Sequence, residues 1–135
     1  MKFLVISNLS LTLIMSGIIW FVQLIHYPLF SKTNSNNFHS FHSEHTKRTT
    51  WLVAPLMIAE ALICTILFIK MPTITTSIGL SILFLIWTCT FFVQLPIHNK
   101  LNKEFNTKLV HKLIKSNWIR TISWTVRAAT CFVLI

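Results

Sequence analysis

The hydrophobic residues of this chain fall in four blocks, at 3–25, 51–69, 73–97 and 118–135, separated by polar stretches rich in lysine, asparagine and serine. About 20 consecutive apolar residues, at about 1.5 Å of rise each, carry a helix across the hydrocarbon of a bilayer. The blocks predict spans over about 3–28, 51–69, 73–97 and 118–135, in one domain covering residues 1–135. Backbone groups in lipid must bond internally, and the short alternating segments of a barrel are missing. The predicted fold is therefore all-α, an integral membrane four-helix bundle. Glu60 in the second block and Arg120 and Arg127 in the fourth weaken those two as spans, the fourth most of all. Lys2 and the apolar run after it imitate a secretory signal, with Ser16-Gly17 as its cleavage site. The run continues through Trp20 and Ile25, longer than a signal core, and reads as an uncleaved span.

Composition agrees with that solvent. Of the 135 residues 53% are hydrophobic and 11% charged, where a soluble domain carries about 25% charged residues. Basic residues outnumber acids 12 to 3, giving a net charge of +9. Lys32, Lys47 and Arg48 lie in the segment 31–50, and Lys100, Lys103, Lys108, Lys112 and Lys115 in the segment 99–116; only Lys2 and Lys70 flank the other ends. The bias places both basic loops in the cytoplasm and both termini outside, in a multi-pass protein of the cell membrane. Leu101, Phe105, Leu109 and Leu113 recur at fourfold spacing. That stripe predicts a helix on the inner leaflet, with anionic lipids as partners. No nucleic-acid recognition motif accompanies the charge, so nucleic acid is not an expected partner. Cys64, Cys89 and Cys131 lie inside spans without a zinc or CxxC spacing and read as small buried apolar side chains.

Two landmarks recur in the same order. Phe21-Val22-Gln23-Leu24 returns as Phe92-Val93-Gln94-Leu95, and His45-Thr46-Lys47-Arg48-Thr49 is echoed by Asn117-Trp118-Ile119-Arg120-Thr121, at offsets of about 71 and 72 residues. Two duplicated two-helix units would be related by an axis along the membrane normal. Duplication would gather Gln23, His26, Gln94 and His98 around that axis near the cytoplasmic surface, and would pair Arg48 with Arg120 as a guanidinium site for an anionic or carbonyl-bearing ligand.

Glu60 follows Trp51, and Arg127 follows Trp118, by about nine residues, which puts both about 13 Å deep if both helices start at the cytoplasmic interface. A lone charge there costs at least about 2.5–3.5 kcal/mol, so mutual pairing or burial against a polar cavity is expected: a lock between spans two and four, a Glu60 that carries a proton or ligates a metal with Arg127 controlling its charge, or a protonated Glu60 facing another partner. Asn117, Arg120, Trp124 and Arg127 share one face of span four, which must look inward. His39, His42 and His45 precede span two at spacings of three. With His26 and His98 at similar depth, the set His26, His42, His45 and His98 can offer nitrogen ligands to a transition metal or axial ligands to a haem. Glu60 lies about 27 Å along the helix from His42, so a carboxylate joining them would have to be Glu44. His39 and His111 read as polar anchors at the interface, and Trp20, Trp51, Trp87, Trp118 and Trp124 as interfacial or packing aromatics.

Pro96-Ile97-His98-Asn99-Lys100-Leu101, Asn117-Trp118-Ile119-Arg120-Thr121 and, in the first half, Tyr27-Pro28 resemble small four-span bacterial membrane proteins of the anthrone-oxygenase-like family. The likeness covers mainly the C-terminal half. It implies site roles for Asn99, Leu101, Asn117, Arg120 and Thr121, while His98 stands where the family pattern has Asn. Anthrone oxidation does not follow from such a likeness, since one fold hosts many reactions.

Three functions compete at this stage. The first is a membrane protein with an inward pocket lined by Gln23, Arg48, Gln94, Asn117 and Arg120 near the cytoplasmic face. It would bind a metal, a haem or a hydrophobic carbonyl or quinone-like ligand and work as an oxidoreductase or an oxygenase-like enzyme. The second is a noncatalytic structural or assembly subunit of a membrane complex. The third is a transporter, which with four spans per chain would have to be a homo-oligomer.

Overall fold

The computed structural model describes residues 1–33 and 35–135. The described residues are mostly helical, without strands, and form four rods joined by short turns. The first is α1 (Lys2–Phe21), a π-helical turn (Val22–His26) and α2 (Tyr27–Phe30). The second is α3 (Ser35–Lys70). The third is α4 (Ile74–Cys89), a second π-helical turn (Thr90–Gln94) and α5 (Leu95–Leu101), and the fourth is α6 (Thr107–Phe132). The rods Lys2–Phe30, Asn36–Lys70 and Ile74–Leu101 are long and apolar enough to cross a membrane. The fourth expected span, α6, does not reach that hydropathy because lysines and arginines interrupt it. Its polar side chains face inward all the same. Asn117, Arg120, Thr121, Trp124 and Arg127 are buried, while Ile119, Ile122, Val126 and Phe132 are exposed.

Both π-helical turns end two residues before a proline, Pro28 and Pro96. Proline has no N–H for the carbonyl four residues back, and its ring crowds that carbonyl. The helices answer by widening one turn: the Tyr27 N–H bonds the Val22 carbonyl and the Leu95 N–H that of Thr90, five residues back. The extra residue turns everything beyond it by about 100° around the helix axis. Beyond these bulges Tyr27 and His98 face each other. Pro55, by contrast, lies inside α3, which runs on through it. Sharp starts are set by side chains, a reciprocal Thr73–Thr76 capping box at α4 and the Asn106 carbonyl accepting from the Lys108 and Leu109 amides at α6.

The segments expected as loops, 31–50 and 99–116, are mostly helix. Residues 35–50 prolong α3, 99–101 finish α5 and 107–116 open α6; Asn34 lies outside the described residues. The stripe expected on the leaflet is core instead. Leu101 and Leu113 are fully buried with Phe30, Phe38 and Val110, and Phe105 and Leu109 pack against them. The prolonged α3 brings Phe38 over the stripe and supplies the apolar cover that a lipid surface would otherwise give. A second cluster, Met15, Ile19, Met57, Ile86 and Trp124, fills the bundle nearer the chain termini.

Between the rods lies a polar lock. Arg127 Nε donates to Glu60 Oε1 at 2.9 Å, with both side chains essentially inaccessible. Thr12 donates to the same oxygen at 2.8 Å and the Trp124 indole to Oε2 at 3.1 Å. Arg127 Nη2 donates to Asn8 Oδ1 and Nη1 to the Gly79 carbonyl, each at 2.9 Å. All four rods are thereby tied to one ion pair whose hydrogen-bonding groups are satisfied. A Cβ on Gly79 would stand 3.3 Å from Arg127 Nη1, beside a void of only about 10 Å³. Gly79→Ala is therefore expected to lower thermal stability by about 1–2 kcal/mol through overpacking, measured as a reduced melting temperature in detergent. An unchanged melting temperature would show that α4 can retreat from Arg127 without cost.

Candidate functional site

A partly open cavity of about 410 Å³ lies between α3 and the α4–α5 rod, under Arg120 of α6. Its walls are mostly apolar, with Val53, Ala54, Met57, Ile58, Trp87, Phe91 and Leu95. Tyr27, His45, Gln94, His98 and Arg120 supply polar groups at the end near the basic segments. An apolar space with a few convergent polar groups is the usual form of a small-molecule site. On its outer side it shares Ile58 and Trp87 with an apolar groove of about 270 Å³ along α3, lined further by Ala61, Leu62, Thr65 and Ile66.

Of four buried polar atoms without a hydrogen-bond partner among the described residues, three belong to residues that line the cavity, Trp87 Nε1, Gln94 Oε1 and Arg120 Nε, and the fourth is His26 Nε2. Buried polar groups are otherwise paired almost without exception, because each unpaired one costs about 1–3 kcal/mol. None of the three atoms has accessible surface, so a ligand in the cavity reaches these two donors and one acceptor only once the lining side chains turn toward it. The charge is also unbalanced. Of the three acids, Glu60 pairs with Arg127 and Glu44 with Arg48, and among the described residues no carboxylate reaches Arg120.

Arg120 is held from behind. Its Nη1 donates to Asn117 Oδ1 at 3.1 Å, Asn117 Nδ2 donates to Gln23 Oε1 at 2.8 Å, and Gln23 Nε2 donates to the Ile114 carbonyl at 3.1 Å. The guanidinium lies over the Trp124 ring, 5.2 Å from its centroid. Gln23 and Asn117, expected on the pocket wall, therefore position Arg120 and do not line the cavity. Gln94, expected there too, does line it and is anchored through Nε2 to Ser116 Oγ at 2.9 Å. Arg48 does not join Arg120. It is exposed on the outside of α3, where its Nε donates to Glu44 at 2.6 Å and holds that carboxyl below its usual range. Local sequence is alike around the two arginines, but Arg120 lies on the inward face of α6 and Arg48 on the outward face of α3, so the same motif meets different surroundings.

The histidines form two pairs. His42 Nε2 lies 3.0 Å from His98 Nδ1, His42 Nδ1 lies 2.7 Å from Asn102 Oδ1, and His98 Nε2 lies 3.1 Å from the Tyr27 hydroxyl. His26 stacks on His45 at 3.8 Å between ring centroids, and Thr49 Oγ1 bonds the His45 ring. Among the described residues no three His, Cys, Asp or Glu side chains are grouped to hold one metal ion. The physical reason is plain at His42 and His98, whose four ring nitrogens are all engaged in hydrogen bonds. Glu44, the carboxylate that a facial triad would need, points to solvent. His42 and His45 lie on α3 ahead of the apolar segment 51–69. Burial pushes His42 below the ordinary imidazole value, opposed by the Asn102 hydrogen bond, with His39 adding to the lowering. Burial pushes His45 down to about 4, with the charges of His26 and His42 acting the same way. Both rings are neutral near pH 7.

Tyr27, Trp87 and Asn102 were not among the residues expected at the site. The only tyrosine, set directly before a proline, was a signal for the first. An indole N–H in the middle of an apolar span was one for the second, since buried indoles usually find an acceptor. Asn102 offered none. No protein-family model, curated protein or solved structure matches the chain, so the likeness to the anthrone-oxygenase-like family rests on the quoted residues alone.

Proposed function

We propose that this chain is an integral membrane protein that binds an apolar ligand carrying a carbonyl or ionisable oxygen, quinone-like or phenolic, in the cavity under Arg120. The observation that carries this reading is that three side chains lining one apolar cavity, Trp87, Gln94 and Arg120, each hold an unpaired polar atom just behind its wall. Arg120 and Trp87 donate to the ligand's oxygens, and Gln94 accepts from a hydroxyl. The groove along α3 takes an apolar tail, so the ligand arrives sideways from the lipid. A membrane setting is supported by the inverted surface, with Phe3, Ile74, Phe84 and Phe92 about four-fifths exposed while Glu60 and Arg127 are fully buried. The exposed lysines at the other end of the rods set that end in the cytoplasm, against anionic headgroups. Duplication of a two-helix unit is supported by the matched proline-linked bulges and by the Tyr27–His98 hydrogen bond, which joins residues 71 apart in sequence, the spacing of the repeated FVQL motif. The purely structural reading accounts for the satisfied Glu60–Arg127 lock but leaves the three orphaned atoms without a reason.

The test is direct titration of 1,4-naphthoquinone and 2-naphthol into the protein in lipid nanodiscs. Saturable one-to-one binding is expected. Ala54→Trp, which fills the cavity from α3, should weaken it at least tenfold while leaving thermal stability within about 0.5 kcal/mol, as for a change at a partly exposed position. Linear partitioning of both probes, identical in the variant and in empty nanodiscs, would remove the pocket.

A further inference from the structure

We infer that Tyr27, His98 and His42 form a directional proton path that takes a proton from a hydroxyl of the bound ligand and delivers it at Asn102, on the basic end of the bundle. The inference rests on the pocket reading above and names what the pocket does to its ligand. The direction follows from hydrogen-bond chemistry alone. Asn102 Oδ1 only accepts, so His42 Nδ1 carries a hydrogen and donates. A neutral His42 then has its lone pair on Nε2, which must accept from His98 Nδ1–H. The lone pair of neutral His98 is left on Nε2, and the Tyr27 O–H donates to it. Every hydrogen in the chain points away from the cavity. The phenol oxygen of Tyr27, on the cavity wall, lies against the Arg120 guanidinium and has one lone pair left for an O–H arriving from the ligand.

The transfer balances. The ligand O–H bond breaks and a new Tyr27 O–H forms as the old Tyr27 hydrogen moves to His98 Nε2. The His98 Nδ1 hydrogen moves to His42 Nε2, the His42 Nδ1 hydrogen moves to Asn102 Oδ1, and an Asn102 Nδ2 hydrogen leaves to water at the partly exposed amide, which is left as its imidic-acid tautomer until the path resets. The ligand remains as an oxyanion against the Arg120 guanidinium, which has no other counter-charge. No electron is transferred and no co-reactant is needed. Resetting the path takes a return proton or a turn of the rings and the Asn102 amide. His42 is fully buried between the Phe30 and Phe38 rings, so bulk water does not bypass the middle of the path. The ligand class is accordingly a weakly acidic hydroxyarene or quinol, bound as its anion.

The experiment uses the full chain in nanodiscs with 2-naphthol near pH 7, where the free probe is neutral. Absorbance reads whether the bound probe is naphtholate, and a pH-indicator dye in weak buffer reads proton release by stopped flow. Wild type should bind naphtholate and release close to one proton per site. His42→Phe and Asn102→Leu, neither of which lines the cavity, should keep the affinity but slow proton release at least tenfold. Imidazole should restore the rate in His42→Ala, an outcome that a merely structural role for the ring would not produce. Normal binding with an unchanged release rate in both His42→Phe and Asn102→Leu overturns the path and leaves the pocket standing. Binding of neutral naphthol without proton release also overturns it. Absence of 2-naphthol and 1,4-naphthoquinone binding to wild type overturns the pocket itself, and the path with it.

Discussion

Glu60→Ala is expected to destabilise the bundle by about 3–5 kcal/mol, because it leaves the Arg127 guanidinium buried without a counter-charge. The same replacement strands the Thr12 hydroxyl and the Trp124 indole, both of which donate to Glu60. Glu60→Gln keeps the shape and one carbonyl acceptor but not the charge, and should fall at the lower end of that range. Removing both charges as Glu60→Leu with Arg127→Met should cost less than either single change, since an apolar pair of similar volume carries no desolvation penalty. Melting in detergent of the two single variants and the pair forms a double-mutant cycle. Simple additivity would show that the 2.9 Å contact contributes nothing to holding α3 against α6.

Arg120 should behave in the opposite way. Arg120→Met is expected to weaken naphthoquinone and naphtholate binding by about 2–3 kcal/mol, or about 30–150-fold in affinity, through loss of a charge-assisted hydrogen bond to the ligand oxygen. Thermal stability should nevertheless hold or rise by about 1 kcal/mol, because an unpaired buried guanidinium is a cost to the empty protein. Loss of function with retained stability is the mark of a site maintained against the interests of the fold. Arg120→Lys retains charge but loses the planar stack on Trp124 and the Nε donor, so it should recover only a small part of the affinity. Should Arg120→Met instead melt well below wild type and bind the probes normally, Arg120 would belong to the packing and not to the site.

The lock and the site meet at Trp124. Its N–H is tied to Glu60 and its ring carries the Arg120 guanidinium, so one indole is held in place by the lock and supports the pocket. Arg120 reaches its fixed position through two further bonds, from Asn117 and then Gln23, neither of which touches the cavity. Side chains that aim a functional group must themselves be immobilised, and here that duty falls on residues whose spacing first pointed to them as ligands.

Helix was legible because it needs no information beyond hydropathy and the requirement that backbone groups bond internally in an apolar medium. The equal depth of Glu60 and Arg127 was legible for a related reason, since the rise of a helix is constant and residue number measures distance along it. The inward face of α6 followed from the three-and-four spacing of Asn117, Arg120, Trp124 and Arg127. What lay outside reach was the angular setting of one rod against another. Arg48 and Arg120 occupy matching places in a repeated motif, yet one is exposed and the other buried. Of the four histidines, His42 and His98 turn their nitrogens toward each other, Tyr27 and Asn102, while His26 and His45 stack on one another, and no three of them face a common ion.

Residue order alone thus located the four rods, the matching levels of Glu60 and Arg127 along them and the end of the bundle that is basic, because those quantities are local and additive along a chain, whereas the extension of α3 over 35–50 and of α6 over 107–116 came from packing. Tertiary packing alone decided which indole, amide and guanidinium would be left without partners around a cavity and in which direction the Tyr27–His98–His42 hydrogens point. Those outcomes depend on two proline-driven bulges and on the mutual rotation of α3, α5 and α6, and rotations of separate helices are correlated only once their side chains interlock.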